Sequence, residues 1–573
     1  MGKSLRASFL LGVLLLAGCL QAQTPKWKPG PELGSPPLTF HGLVPGRSTL
    51  AEIRQELGAP RHEARWYSYK MLYPAAGIPD AFDAVHVDAR DSQTGTLGNV
   101  EAVSVPSGWE SLTKVRERLG EPEFYLEFHQ QSLADYSERG LRFVFDEKEK
   151  TRGIAYVPHG RARVHAGGRR SLSLRHLRQG PQPAPISRTD LDGLRVGAAE
   201  VEITPPAAAL GPLVEKDGFR VHDALKARCV VLERGKLRVA IVGADLFGLS
   251  QSEVRPIKAA LVEHGIDHLI VASSHNHAAP DTIGIYGFYP TDYVALVQKR
   301  IREGVLAALE SAKPVKTWRA ASDELSLAGA RVAGLFRNAR NPGIVDPQIA
   351  VLQALDDADK VIATIVHFAC HVEGLEKGAV EPSADFPGYM CDAISKRVGG
   401  VTVFLNGALG GMVSGDTAAR THAEARKAGE RLAGEVDRIL GFAVSPAKMR
   451  FAVERRRVEI PLTNARFRLF MEASGRRTLN RGRIVSEMFL LRIGEAEIVT
   501  IPGELLPELG FEILEEMSGY PRMIVGLAND ELGYFLPAYD FNEGQYEESM
   551  SPGPAAGPIV KEQAILLLRT GSQ

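Results

Sequence analysis

From Leu194 to the C-terminal residues, short apolar runs rich in β-branched side chains alternate with stretches of helical periodicity. Nothing else in the chain restricts its possible folds as much. "LRVAIVGADLF" precedes the helical pattern "SEVRPIKAALVEHG", "DHLIVAS" leads into "PTDYVALVQKRIREGVLAALES", and "GVTVFLNGALGG" is followed by "HAEARKAGERLAGEVDRIL". Strands that alternate with helices build α/β layers, because each helix covers an apolar face of the sheet formed by its flanking strands. Two later runs, "MRFAVERRRVEIPL" and "VSEMFLLRIGEAEIVTIPGE", read as antiparallel strands. The expected fold over residues 194–573 is therefore α/β, with a mixed, largely parallel sheet and flanking helices.

In such sheets ligands bind beyond the carboxyl ends of the strands, so the polar groups that follow apolar runs carry the chemical information. Five runs end this way. "HLIVAS" ends in Ser274, His275, Asn276 and His277, and "VIATIVHFAC" ends in His371 with His367 inside it. "VTVFL" ends in Asn406, "EIVTIPG" in Glu504, and "RMIVGLAN" runs on to Asp530, Glu531 and Tyr534. With 15 histidines in the chain, chance alone supplies roughly 0.4 His-x-His pairs, so "SHNH" decides nothing until the other strand ends are added to it. A hydrolytic zinc ion needs neutral imidazoles and a carboxylate from separate rigid elements, with one position left for water. His275, His371 and Glu504 supply that chemistry. His277 shares one side of an extended segment with His275, and is either a further ligand or a group facing the substrate.

Other residues near these runs have structural readings. His367, inside an apolar strand, reads as a hydrogen-bonded core histidine, Cys370 as a small buried apolar side chain, and Arg228 as the partner of a buried acid. Asp245 and Asp385 either orient ligand histidines or cap a helix or turn. Gly407, Gly410 and Gly411 either let backbone amides approach an oxyanion or permit close strand-to-helix packing.

Lys and Arg number 68 against 69 Asp and Glu, so no basic excess draws the protein to a phosphate backbone and nucleic acid is not an expected partner. At 573 residues and 44% hydrophobic, the chain should form two to four folded units. Residues 1–19 have the basic head, short apolar run and small residues of an exported leader, and Leu16-Ala17-Gly18-Cys19 looks like a lipobox that would leave Cys19 lipidated. Export and a lipid anchor in the cell envelope follow, at the outer membrane in a Gram-negative cell. Beyond Cys19, three cysteines, Cys229, Cys370 and Cys391, imply no disulfide framework.

Residues 20–39 form a Pro/Gly-rich tether. Between 40 and 160, "GLVPGRSTLAEIRQELGAP" and "VPSGWESLTKVRERLGEPE" make a short repeat. Each copy has a Ser or Thr N-cap and a Gly/Pro stop around a helix of about ten residues, with hairpin strands between and after the copies. The region resembles the small α+β modules of envelope lipoproteins such as the outer-membrane assembly factor BamE, which implies docking to an envelope protein partner. A basic, Gly/Pro-rich stretch over 161–193 reads as a solvated linker.

The motifs "VGAAEVEITPP", "VASSHNHAAPDT", "FACHVEG", "SADFPG", "FLNGALGG", "IPGELLPELG" and "GLANDELGYFLPAYDF" stand in the order seen in neutral/alkaline (non-lysosomal) ceramidases, which residues 194–570 resemble. The resemblance implies an α/β catalytic domain that holds one Zn2+ through His275, His371, Glu504 and Tyr534. It also implies that His277 lines the pocket, that Arg337 polarises the scissile carbonyl, and that Tyr546 lies on the substrate side. Two departures stand out. Leu409 occupies the place of a serine essential to ceramidases, and a leucine can neither donate a hydrogen bond nor act as a nucleophile, which argues against ceramide itself. No immunoglobulin-like domain follows "IVKEQAILLLRTG". The expected activity is hydrolysis of an amide, or an ester, of an N-acylated or lipid-like substrate by zinc-activated water. A phosphoester or a lactone is open to the same chemistry. The alternative is a catalytically degenerate ceramidase-fold lipoprotein that binds or scaffolds in the envelope.

Overall fold

The computed structural model describes residues 40–174 and 193–570, apart from 46, 61, 66–68, 75–81, 89–95, 103–104, 106–108, 129, 137–138, 158–169, 211–218, 286, 326–336, 342, 376–380, 412, 416–418, 447–448, 475–478 and 543–544. The leader, Cys19, the tether and most of the basic linker lie outside the described residues. Among the described residues no helix is long and apolar enough to cross a membrane.

One supersecondary unit occurs three times in the C-terminal domain: three antiparallel strands, a helix, a fourth strand parallel to the third, and a second helix. In the first unit the strands are Leu194–Glu202, Lys226–Arg234, Leu237–Ala244 and His268–Ser273, with helices Gln251–Val262 and Thr291–Glu310. The second has strands Thr317–Glu324, Gln348–Leu355, Val361–Phe368 and Val401–Asn406, with helices Asp385–Val398 and His422–Leu440. The third has strands Phe451–Pro461, Arg483–Ile493, Ala496–Thr500 and Arg522–Val525, with helices Pro507–Glu516 and Ala556–Thr570.

The mixed α/β class is the one read from the sequence, but within the three main sheets of the C-terminal domain only the third and fourth strands pair in parallel. The reason is local. Gly235-Lys236 and Gly494-Glu495 join their strands through two-residue turns with the glycine at φ +61, and connections so short can only join antiparallel neighbours. In all three units the parallel return is made across the helical crossover before the fourth strand.

The inner faces of the three sheets share one core, which includes Val230 and Ile241 from the first unit, Leu352 and Leu405 from the second, and Leu491 and Val525 from the third. The helices cover the outer faces. At the carboxyl ends of the fourth strands the units interlock through buried amides. Asn406 Nδ2 donates to Ser274 O at 2.8 Å and Cys370 O at 2.7 Å, while its Oδ1 accepts from Cys370 N at 3.0 Å. Asn529 closes the third unit onto the first, accepting from Val271 N and donating to Leu269 O, both at 2.7 Å.

The two N-terminal repeats form helices Leu50–Leu57 and Leu112–Leu119, capped by Thr49 and Ser111 and each followed by a glycine at positive φ. Their strands merge into one nine-stranded sheet. Its last strand, Arg170–Ser173, falls inside the stretch read as linker and runs parallel to Phe124–Glu127. The strand Leu141–Asp146 is buried on both sides: Phe143 and Phe145 face the two helices, and Val144 lies against the third unit of the C-terminal domain. Phe128 packs edge-on to Phe511 at 5.7 Å, and Gln131 Nε2 donates to Leu325 O at 2.9 Å. Part of the module's surface is thus occupied by the chain's own C-terminal domain.

Candidate metal centre and cleft

Beyond the parallel edges of the first and second units, "SHNH" and "FACH" run side by side, bridged at Asn276 and Val372. His275 adopts φ +66, a left-handed conformation that costs a non-glycine residue about 1–3 kcal/mol and persists only where its surroundings enforce it. Ser274 N bonds Ala244 O at 2.9 Å, Asn276 N bonds Leu246 O at 2.9 Å, and His277 N bonds Val372 O at 3.0 Å, which fixes the turn.

The protons of the ligand-type imidazoles follow from their partners. His275 Nδ1 lies 2.9 Å from Phe247 O, and His371 Nδ1 lies 3.2 Å from Val413 O. A carbonyl only accepts, so both Nδ1 atoms carry hydrogen and both Nε2 atoms present lone pairs. Those lone pairs meet Glu504 Oε2 at 3.5 Å from His275 and 3.0 Å from His371, and Oε2 receives no hydrogen bond although it is buried. Burial pushes the His275 imidazole down to about 4. Burial alone would raise the Glu504 carboxyl, but His275, His371 and the Tyr534 hydroxyl outweigh it and hold the group below its ordinary value. With both rings neutral, their lone pairs and the carboxylate, facing one another away from water, repel unless a cation lies between them, so the donor set fits a divalent metal ion.

Tyr534 reaches the cluster through a two-residue parallel ladder in which Glu504 and Tyr534 are register partners. Its hydroxyl lies 3.4 Å from His371 Nε2. His277 completes a trio with His275 and His371 whose ligand atoms all lie within 4.8 Å of one another. Its Nε2 is 3.3 Å from Glu373 Oε1, and Glu373 Oε2 is 4.0 Å from Arg420. No role for Glu373 was read from the sequence. The available signal was its place two residues after His371, on the same side of an extended segment.

The cluster forms the floor of a cleft whose walls include Phe247, Ile283, Ile285, Phe467, Phe470 and Met471, with Ser250, Ser252 and Glu531 as polar lining. Glu531 Oε1 accepts from Gly533 N at 2.9 Å while its buried Oε2 has no hydrogen-bond partner. Burial, reinforced by Glu504, pushes this carboxyl well above its ordinary value. Held toward its protonated form, this carboxyl lines the cleft as a group able to donate a hydrogen bond. Tyr546 stands exposed at the mouth, its ring 6.0 Å from that of Tyr534. Arg337 pairs in register with Ser414, which is itself bridged to His371. The Arg337 side chain lies outside the described residues. Leu409 is fully buried and does not line the cleft.

The remaining candidates take structural positions. His367 is a core histidine with Nε2 2.8 Å from Ile524 O, pushed down to about 4 by burial. Asp245 orients no histidine; it pairs with buried Arg228 at 2.9 Å and accepts from Lys226 N at 2.9 Å. Asp385 holds a turn, accepting from Leu375 N at 3.1 Å. Cys229, Cys370 and Cys391 are buried and form no disulfide. A Cβ on Gly407 would lie 2.8 Å from that of Ala369, and one on Gly410 2.9 Å from Glu504 O, so close packing accounts for both.

Fold and cluster together define a three-unit α/β protein with a buried, metal-fitting donor set at its strand ends. This fold is that of the neutral ceramidases. The chain superimposes on a neutral ceramidase from Pseudomonas aeruginosa with a TM-score of 0.54 and 18% identity, covering 66% of this chain and 75% of that one. A ceramidase complexed with C2 matches with a TM-score of 0.55 and 17% identity over the same shares. No protein-family model matches the chain, and no curated protein matches it. Nothing supports the likeness of the N-terminal module to BamE-type proteins.

Proposed function

We propose that the chain is a zinc-dependent hydrolase that cleaves the amide, or an ester, of an N-acylated or lipid-like molecule. The observation that carries this reading is the convergence of two imidazole lone pairs and an unsatisfied carboxylate oxygen on one buried point. His275, His371, Glu504 and Tyr534 would hold the ion, which when bound would supply water activated at neutral pH and Lewis-acid polarisation of a carbonyl. The apolar wall from Phe247 to Met471 suits an acyl chain. His277, oriented by Glu373, carries a proton between the attacking water and the leaving amine or alcohol. Arg337 and Tyr546 are assigned to the scissile carbonyl and the substrate's outer part by resemblance to the ceramidases. Export and anchoring through Cys19 belong to the same proposal and rest on the leader sequence. Leu409, which brings no polar atom to the cleft, favours the second reading, a binding protein that has lost ceramidase chemistry.

The test is metal content by inductively coupled plasma mass spectrometry, together with turnover of N-acyl amide and ester panels. Zinc and turnover that are both lost in His275→Ala and Glu504→Ala are expected. Zinc without turnover on any substrate would favour the binding protein, and no zinc after reloading would overturn the zinc-hydrolase reading.

A further inference from the structure

A second group of metal-ligating side chains lies where three segments outside the cleft meet. His222 and Asp223 precede the strand Lys226–Arg234, Glu381 and Ser383 precede the helix Asp385–Val398, and His422 opens the helix His422–Leu440. One ligand atom from each of His222, Asp223 and His422 falls within 4.8 Å of the other two. The two imidazole rings meet edge to face with centroids 3.5 Å apart. Zinc bonds of about 2.0–2.1 Å place tetrahedral donors about 3.4 Å apart, so small side-chain rotations, easiest at exposed His222, bring this set to coordination distance.

The surroundings resemble a prepared site more than a chance contact. Asp223 Oδ2 accepts from Ser383 Oγ at 2.6 Å and from the Tyr389 hydroxyl at 2.9 Å, and Oδ1 accepts from Ala384 N at 2.7 Å. A carboxylate has about four lone-pair positions, so one on Oδ1 remains, and the carboxylate is held in place by the bonds that outer donors give a ligating acid. His422 Nε2 lies 3.4 Å from Glu381 Oε2, while its Nδ1 is buried and has no hydrogen-bond partner. A buried, unsatisfied ring nitrogen is costly, and coordination would satisfy it.

We propose that His222, Asp223 and His422 bind a divalent transition-metal ion at a structural site separate from the cleft, with Glu381 bonded to the far edge of the His422 ring. The ion staples the chain ahead of the first unit's second strand to both helices of the second unit. Asn276 Nδ2 donates to Ser383 O at 2.7 Å, so the stapled loop also buttresses the "SHNH" turn.

The test uses the full-length chain in detergent with His275→Ala and His371→Ala, which silences the cleft, so that failure of the cleft reading and of this one remain distinguishable. The protein is saturated with Zn2+ or Co2+, dialysed, and assayed for metal by mass spectrometry and for Co2+ by visible absorption. About one ion per chain is expected, falling to none when His222→Ala and His422→Ala are added. No bound ion in the first protein, or an undiminished ion in the second, overturns the proposal. In the otherwise unaltered chain, His222→Ala with His422→Ala should remove about one ion and lower the thermal midpoint measured with Zn2+ present. An unchanged ion count there overturns the proposal as well.

Discussion

Which nitrogen of each imidazole carries the proton decides what the cleft can do, and the backbone makes that choice. Phe247 O and Val413 O hold Nδ1–H on His275 and His371, while Glu373 holds the third ring, His277, by its other edge. Glu373→Gln keeps an acceptor there but removes the charge that favours imidazolium. Activity should fall about 10- to 100-fold with metal content unchanged, and the limb of the pH–rate profile that belongs to His277 should move to lower pH. An unmoved limb would detach Glu373 from the chemistry. His367 makes a separate, thermodynamic prediction. Its folded pKa is pushed from 6.5 to about 4, so between those values the unfolded chain binds the extra proton and stability falls as the solution is acidified. The whole effect is on the order of 3 kcal/mol. Denaturant unfolding at about pH 7 and about pH 5 should show it, and His367→Gln should shrink the difference. His275, His371 and Glu504 are legible in the sequence because each follows an apolar, β-branched run. Glu531 stands at a strand end too, but its role, like that of Glu373, depends on which neighbours the fold sets against it.

At the scale of elements, strands and helices could be located from periodicity, and the capped helices of the N-terminal repeat from Thr49, Ser111 and their following glycines. The two later runs read as antiparallel do pair that way, but direction could not be read for the earlier ones, because an apolar run looks the same whichever way its neighbour points. Two-residue turns at Gly235 and Gly494 set it between the second and third strands of the first and third units. Close helix packing is equally hidden. A Cβ on Gly429 would stand 2.5 Å from Phe386 O and 2.8 Å from Tyr389 Cβ, where the two helices of the second unit meet. Gly429→Ala gains helix propensity but must push backbone apart, and a net loss of about 1–3 kcal/mol is expected. A higher thermal midpoint in calorimetry would show that the helices separate freely there.

Across the whole molecule, three copies of one unit share a single core, and every group in the metal cluster comes from the carboxyl side of a strand in one of them. The N-terminal module is packed onto the third. Phe128→Ala removes the ring that meets Phe511 in that contact and should cost about 3 kcal/mol. In calorimetry the single transition expected for the native chain should split or broaden; an unaltered trace would mean that module and domain unfold independently. By itself the sequence determined the α/β class, the N-terminal repeat and the three strand ends that supply His275, His371 and Glu504, because periodicity and local polarity are properties of neighbouring residues. Only the tertiary structure decided the threefold arrangement, the antiparallel majority of its pairings, the seating of the module, and the meeting of His222 with His422. Each of these depends on contacts between residues far apart in the chain, whose partners no local pattern names.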